Sequence, residues 1–185
     1  MSHLVVIGFK NDKFKAGGFL NELQRLDAQP TVQLNDAVAV YRDDGGKLNV
    51  DRSYVSAKDD NPARGLLWGS IVGALLAIPF TAVTGGAVAA TIVGMATVGG
   101  GATGAMLSTI DSDWWKEGFG ISEDFISEVG ALLEPGDSAV FAVLYAEHPD
   151  DVMKRFEGSG GKVLMTDLSD DQKAMIDKVL GGSLN

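Results

Sequence analysis

Apolar and polar residues along this chain fall into blocks whose period changes at recognisable turns. His3–Phe9 (HLVVIGF) is a short run rich in β-branched residues, the pattern of a buried strand. Asn11–Asp12 marks a turn and cap, and Ala16, Phe19, Leu20, Leu23 and Leu26 follow at helical spacing, with Gly17–Gly18 inside the helix and Gln29–Pro30 ending it. Val32, Leu34, Val38 and Val40 sit on alternate positions and predict a second strand. Asp43-Asp44-Gly45-Gly46 signals a hairpin. Leu48, Val50 and Tyr54 continue the inward face on a third strand, with Asn49, Asp51 and Ser53 turned outward.

The pattern then disappears. From Gly65 to Ile110 the chain runs 46 residues without a charged side chain. A bilayer core of about 30 Å needs roughly 20 apolar helical residues. Gly65–Val83 supplies 19 residues, Thr84-Gly85-Gly86 breaks the run, and Ala87–Ile110 supplies 24 more. Two spans and a tight turn predict a helical hairpin with both ends on one side. Small residues recur every fourth position at Gly65, Gly69, Gly73 and Ala77, and the second arm carries Gly86, Ala90, Gly94, Gly100 and Gly104. Each glycine inside a helix costs about 1 kcal/mol against alanine. Close packing of helix on helix is the expected compensation, between the two arms and between copies. Trp68 at the start, and Trp114 and Trp115 after the end, lie where an interfacial aromatic belt would sit. Asn61–Pro62 supplies a helix start and Pro79 a kink. The flanks (Lys58, Asp59, Asp60 and Arg64; Asp111, Asp113, Lys116 and Glu117) carry no basic excess, so orientation in a membrane is weakly specified. An apolar hairpin buried inside a soluble oligomer stays open as the alternative.

Beyond the stretch, Ile121, Phe125, Val129 and Leu132 form one helix face, opposite Glu123, Asp124 and Glu128, and Pro135-Gly136-Asp137 stops the helix. Ser138–Tyr145 (SAVFAVLY) is a nearly continuous apolar strand. The order is βαββαβ, so the expected fold is α+β and ferredoxin-like, opened by the hairpin between its third strand and second helix. A C-terminal αβα extension follows. Its parts are a helix from Pro149 to Phe156, a strand at Lys162–Thr166 beside SAVFAVLY, and a helix begun by the capping box Ser169-Asp170-Asp171-Gln172. The expected division is 1–60 and 113–185 for the two parts of the sheet domain, with 61–112 as the insert.

Composition narrows the function. The net charge of −10 argues against nucleic acid and against electrostatic docking on anionic lipid, so membrane contact would be driven by apolar burial. With no cysteine, disulfides, thiolate metal sites and cysteine nucleophiles are excluded. The start MSHLVVIGFKNDK lacks a basic region followed by a long apolar core and a small-residue cleavage site, so the globular part is expected in the cytoplasm.

A sheet domain of this order opened by a glycine-zipper hairpin resembles a family of predicted bacterial and archaeal membrane proteins of unknown function. The resemblance rests on the HLVVIGF start, the DGGK hairpin, the NPARGLLWGSIVGALL segment and the SAVFAVLY strand, and reaches to about Tyr145. It implies architecture and membrane association, and no activity.

No other motif alters this picture. Gly99, Gly101 and Gly104 spell G-x-G-x-x-G with Asp124 twenty residues on, but neither the preceding strand nor the second-strand acid of a dinucleotide site accompanies them. His3 is expected solvated at a strand start and His148 at a helix cap. Acid pairs fall at turns and helix starts, where they oppose the helix dipole. Asp111 and Asp113 beside the tryptophans are the one pair that could meet a cation. Hydroxyls within the hairpin, from Ser70 to Ser108, have no acid or base beside them. No acid–base–nucleophile set and no cofactor is expected. The expectation is a membrane-associated, self-assembling structural or interaction protein, with the bilayer and further copies of itself as partners and any other protein partner unidentified.

Overall fold

The computed structural model describes residues 1–26, 32–51, 68, 71, 72, 75, 76 and 121–180. Strand β1 (Ser2–Phe9) leads into α1 (Lys15–Leu26), β2 (Val32–Arg42) and β3 (Leu48–Asp51). After residue 120 come α2 (Glu123–Leu132), β4 (Ser138–Ala146), α3 (Pro149–Glu157), β5 (Lys162–Asp167) and α4 (Asp170–Leu180). Among the described residues this is a mixed α+β fold of five strands and four helices.

All five strands join one antiparallel sheet in the order β3-β2-β4-β1-β5. The arrangement interleaves distant parts of the chain. β4 lies between β1 and β2, splitting the β1-α1-β2 crossover, and β1 lies between β4 and β5, splitting the β4-α3-β5 crossover. β5 was expected beside SAVFAVLY, which is β4. It pairs instead with β1, from His3 opposite Asp167 to Gly8 opposite Lys162. Two glycines allow close contacts there. A Cβ on Gly161 would meet Ile7, Phe9 and the Gly8 carbonyl oxygen at 2.8–3.0 Å, and a Cβ on Gly8 would meet Leu132 at 2.9 Å.

Alternation on β1 and β4 divides the core into two layers. Val5, Ile7, Phe9, Val140, Ala142 and Leu144 face α1 and α3, where Phe19, Leu20, Leu23, Val152 and Phe156 cover them. Leu4, Val6, Phe141 and Val143 face the other way, toward Phe125, Ile126, Val129 and Leu132 of α2 and Ile176 of α4. The helix face read from Ile121, Phe125, Val129 and Leu132 is thus buried as expected, with Ser122 capping α2 by accepting the Phe125 amide. At α4 the capping box forms: Gln172 accepts from the Ser169 amide, and Ser169 from the Gln172 amide.

Strand β2 departs from its simple alternation. Its pairing with β4 slips between Leu34 and Asp36, a β-bulge that leaves Asn35 as the extra residue. Leu34 therefore packs on the α1 side, while Val38 and Val40, of the same parity in sequence, pack on the α2 side. The hairpin after it forms at the expected place: Gly46 adopts φ 80°, and the Asp43 carboxylate accepts the Lys47 amide. That bond holds the Asp43 carboxyl below the usual carboxylate range.

Candidate functional site

The uncharged stretch meets the sheet directly. Trp68, Ile71, Val72, Leu75 and Leu76 are helical and buried. Their spacing of three, four, seven and eight is one face of a helix. That face joins the α2-side core together with Val38, Val40, Leu48 and Val50 of β2 and β3. α2 lies against β1 and β5, so the residues from the stretch complete the cover over the β2–β3 half of the sheet.

One polar contact orients this packing. The Trp68 indole N–H donates to Asp36 Oδ2 at 2.9 Å in a buried setting, while Asp36 Oδ1 accepts the Ala37 amide at 2.8 Å. A buried carboxylate needs donors, and a buried indole needs an acceptor. The bulge sets this up, because Asp36 follows the register slip and so shares a face with Val38 and Val40. Asp36 was not singled out from sequence. The signal was present as Asn35–Asp36 inside an otherwise apolar strand, a pair depleted from regular strands and frequent at irregular ones.

Trp68, expected at a membrane interface, is only 4 % exposed and sits in the protein's own core. The indole is amphipathic in either setting, and here the acceptor is a side chain of the sheet. Trp114 and Trp115 lie outside the described residues. So do all the helix-packing positions: Gly65, Gly69, Gly73, Ala77, Gly86, Ala90, Gly94, Gly100 and Gly104. The Asp111/Asp113 pair and the G-x-G-x-x-G glycines lie outside them as well, while Asp124 is an exposed residue of α2.

His3, expected in solvent, is 1 % exposed. Nδ1 lies 2.8 Å from the exposed Asp167 carboxylate across the β1–β5 pairing, and Nε2 is buried without a hydrogen-bond partner among the described residues. The ring nitrogen that remains is closed off from solvent and therefore from substrate. His148 occupies the N-cap of α3, but its side chain makes no capping bond.

A second polar cluster gathers at the opposite end of β1. Asp137 accepts from Lys10 Nζ and from the amides of Asn11 and Glu134, all at 2.8–2.9 Å. Lys10 also reaches Glu134 and the Ala131 carbonyl oxygen. Burial pushes the Asp137 carboxyl up, but the bonds from Lys10, Asn11 and Glu134 outweigh it and hold it below the usual carboxylate range. Burial likewise pulls the Lys10 ammonium down, and its bonds to Asp137 and Glu134 reverse that, leaving it raised. Nearby, the Ser138 hydroxyl donates to the Asp12 carbonyl oxygen and accepts the Ala16 amide. Lysine, aspartate and serine stand close together here, yet each is engaged in tying the β1–α1 turn to the loop before β4. Among the described residues no group of three or more histidine, aspartate or glutamate side chains is placed to hold a metal ion.

Among the described residues no helix is long and apolar enough to cross a membrane. No curated protein and no solved structure matches the chain. A family match covers residues 62–181. It begins at Pro62, beside the expected start of the insert, and takes in the uncharged stretch, α2, β4, α3, β5 and α4. β1, α1, β2 and β3 precede the matched region, although β1 and β2 flank β4 in the sheet. With about two thirds of its length matched, this chain belongs to the family described as "Protein of unknown function (DUF1269)".

Proposed function

We propose that this protein is a membrane-associated, self-assembling structural or interaction protein, whose sheet domain grips the beginning of the uncharged stretch and presents the remainder. The observation that carries this reading is the burial of Trp68, Ile71, Val72, Leu75 and Leu76 on the sheet. It shortens the run left for two spans. With the chain docked through Leu76, the uncharged run left is Ala77–Ile110, 34 residues. Two crossings need roughly 40. Both flanks of this run belong to one sheet, so it must return to the side it starts from, which one crossing cannot do; it suits an apolar surface lying in the bilayer interface. Gly86, Gly94, Gly100 and Gly104 fall within Ala77–Ile110 and suit close helix approach between copies.

The split crossovers support reading the domain as ferredoxin-like. β1-α1-β2 and β4-α3-β5 supply its two halves, with α1 and α3 on one face. β3, the uncharged stretch and α2 then lie in one long insertion: β3 extends the sheet, and α2 with Trp68, Ile71, Val72, Leu75 and Leu76 helps cover the other face.

A second reading is a soluble homo-oligomer whose uncharged segments bundle with one another. The buried Trp68–Asp36 bond favours it, because this tryptophan contacts the domain's own sheet. Flotation of the full chain with zwitterionic liposomes separates the two. The bilayer reading expects protein in the floating fraction, and wash-resistant at high salt, since the net charge of −10 offers no electrostatic attraction. The oligomer reading expects a multimer in the supernatant without detergent. A detergent-free monomer in solution overturns both. For either assembly, Gly94→Leu is expected to lower the particle mass, because the added bulk blocks helix approach.

A further inference from the structure

We propose that β5 is an interface strand, pairing antiparallel with β5 of a second copy so that the two five-stranded sheets become one ten-stranded sheet. This goes beyond the function proposed above and does not depend on the uncharged stretch.

Among the described residues, strand β5 is an edge of the sheet. Its hydrogen-bonding direction follows from one contact: the Leu168 amide donates to the Ser2 carbonyl oxygen at 3.0 Å. In an antiparallel pair, hydrogen-bonded positions alternate with non-bonded ones. Thr166, Leu164 and Lys162 therefore turn their backbone groups toward β1, and Val163, Met165 and Asp167 turn theirs outward. The Ala146 amide bonded to the Met1 carbonyl oxygen gives β1 the matching phase on its β4 side. No backbone partner is found for the outward groups among the described residues. They form a ladder of N–H and C=O groups ready for another strand.

The usual protections of an edge are missing from it. The strand KVLMTD has no proline and no bulge, and its only charges stand at its two ends. Its interior side chains are half-buried on both faces: Leu164 packs against the α2-side core, and Val163 and Met165 against the α1-side core. Both apolar layers thus run out to this edge and stop there. An identical strand would continue each layer with its own counterpart, because a two-fold axis through the sheet keeps like faces together.

The outward parity selects the register. Only pairing centred on Met165 sets all three outward residues against one another, with Met165 facing its own copy and Val163 facing Asp167. In that register Lys162 faces Leu168, and no two like charges stand opposite. A chain of net charge −10 therefore meets its copy along a strip without like-charge repulsion.

The test is the mass of the full chain in a mild non-ionic detergent, measured by light scattering after size exclusion. Met165→Pro removes one outward N–H and leaves the bonds to β1 in place, which an edge strand tolerates. The expected result is a particle of half the wild-type mass with an unchanged circular dichroism spectrum. An equal mass for the two proteins, or a monomeric wild type, overturns the proposal. If the proline variant does not fold, Met165→Cys decides. The chain has no other cysteine, and the pairing brings the two Cα atoms to about 5.5 Å, within disulfide reach. Mild oxidation should then give a covalent dimer, while Phe14→Cys, exposed at the far end of the sheet, should not. No dimer from Met165→Cys, or equal linkage from Phe14→Cys, overturns it. Gly94→Leu leaves this linkage intact, so failure of the helix-packing reading and failure of this one are told apart.

Discussion

The two faces of the sheet are covered in different ways. On one, α1 and α3 follow directly from the strands they connect and lay Phe19, Leu20, Leu23, Val152 and Phe156 over the core. On the other, the cover comes from α2, α4 and the start of an uncharged stretch that arrives from far along the chain. The first face is a local product of alternating strands and amphipathic helices. The second depends on a segment apolar enough to suit lipid, and one indole–carboxylate bond fixes where it docks. Hydropathy alone does not distinguish a helix that faces lipid from one that faces a sheet, because both are free of charge.

The difference can be tested by truncating one aromatic on each face. Trp68→Ala and Phe156→Ala should each cost about 3–5 kcal/mol, the range for large buried aromatics, read from denaturant midpoints. Only Trp68→Ala should increase binding of an apolar dye under native conditions, because it loosens the cover over Val38, Val40, Leu48 and Val50. Equal dye binding by both variants would erase the distinction. Trp68→Phe keeps most of the ring and removes the N–H, which leaves Asp36 short of one donor. The expected loss is about 1–3 kcal/mol, and a value near zero would show that the bond does not fix the docking.

Glycine-to-alanine changes sharpen the comparison at smaller cost. Overpacking costs about 1–3 kcal/mol. Gly161→Ala should lie toward the upper end, because its new Cβ meets a backbone oxygen as well as Ile7 and Phe9. Gly8→Ala meets only the Leu132 side chain and should cost less. The reverse order in thermal unfolding would mean that α2 is the more rigid layer.

Asp137 offers a pH-dependent probe that belongs to neither face. Its folded carboxyl is held below the ordinary value, so its contribution is present at neutral pH and lost as pH falls through that lowered value. Wild type should therefore be more stable than Asp137→Asn at pH 7, with the gap closing below about pH 4. A gap that widens in acid would contradict the bonding described at Lys10. The smallest effect is expected at Phe14, which is 73 % exposed and, among aromatic partners in the described residues, meets only the tilted Tyr41 ring, 6.3 Å away between centroids. Phe14→Ser should shift stability by less than about 0.5 kcal/mol.

Much of the sheet was readable in the chain. HLVVIGF and SAVFAVLY announced central strands by their unbroken apolar runs, and the Ser169 cap lies where the sequence put it. Other features escaped. Leu34 and Val38 share parity in sequence and separate in space, because a bulge is a property of the pairing. The place of β5 beside β1 reflects a crossover that chain order does not reveal. His3 was read as solvated because it opens a strand, but β5 pairs beside it and sets Asp167 against its ring. The docking of Trp68 was missed for a related reason: its acceptor, Asp36, lies 32 residues earlier, in a strand that chain order does not place beside the uncharged stretch.

Interleaving β4 between β1 and β2 also has a consequence for biosynthesis. When Leu76 leaves the ribosome, the strand that joins β1 to β2 is still unmade, and Ala146, its last residue, follows 70 residues later. At translation speeds of about 5–20 residues per second, that interval is roughly 4–14 s. Throughout it the nascent chain carries an oily helix face and no finished surface to lay it on, so the order of synthesis gives chaperones and nearby bilayers first access to the segment that the sheet later claims.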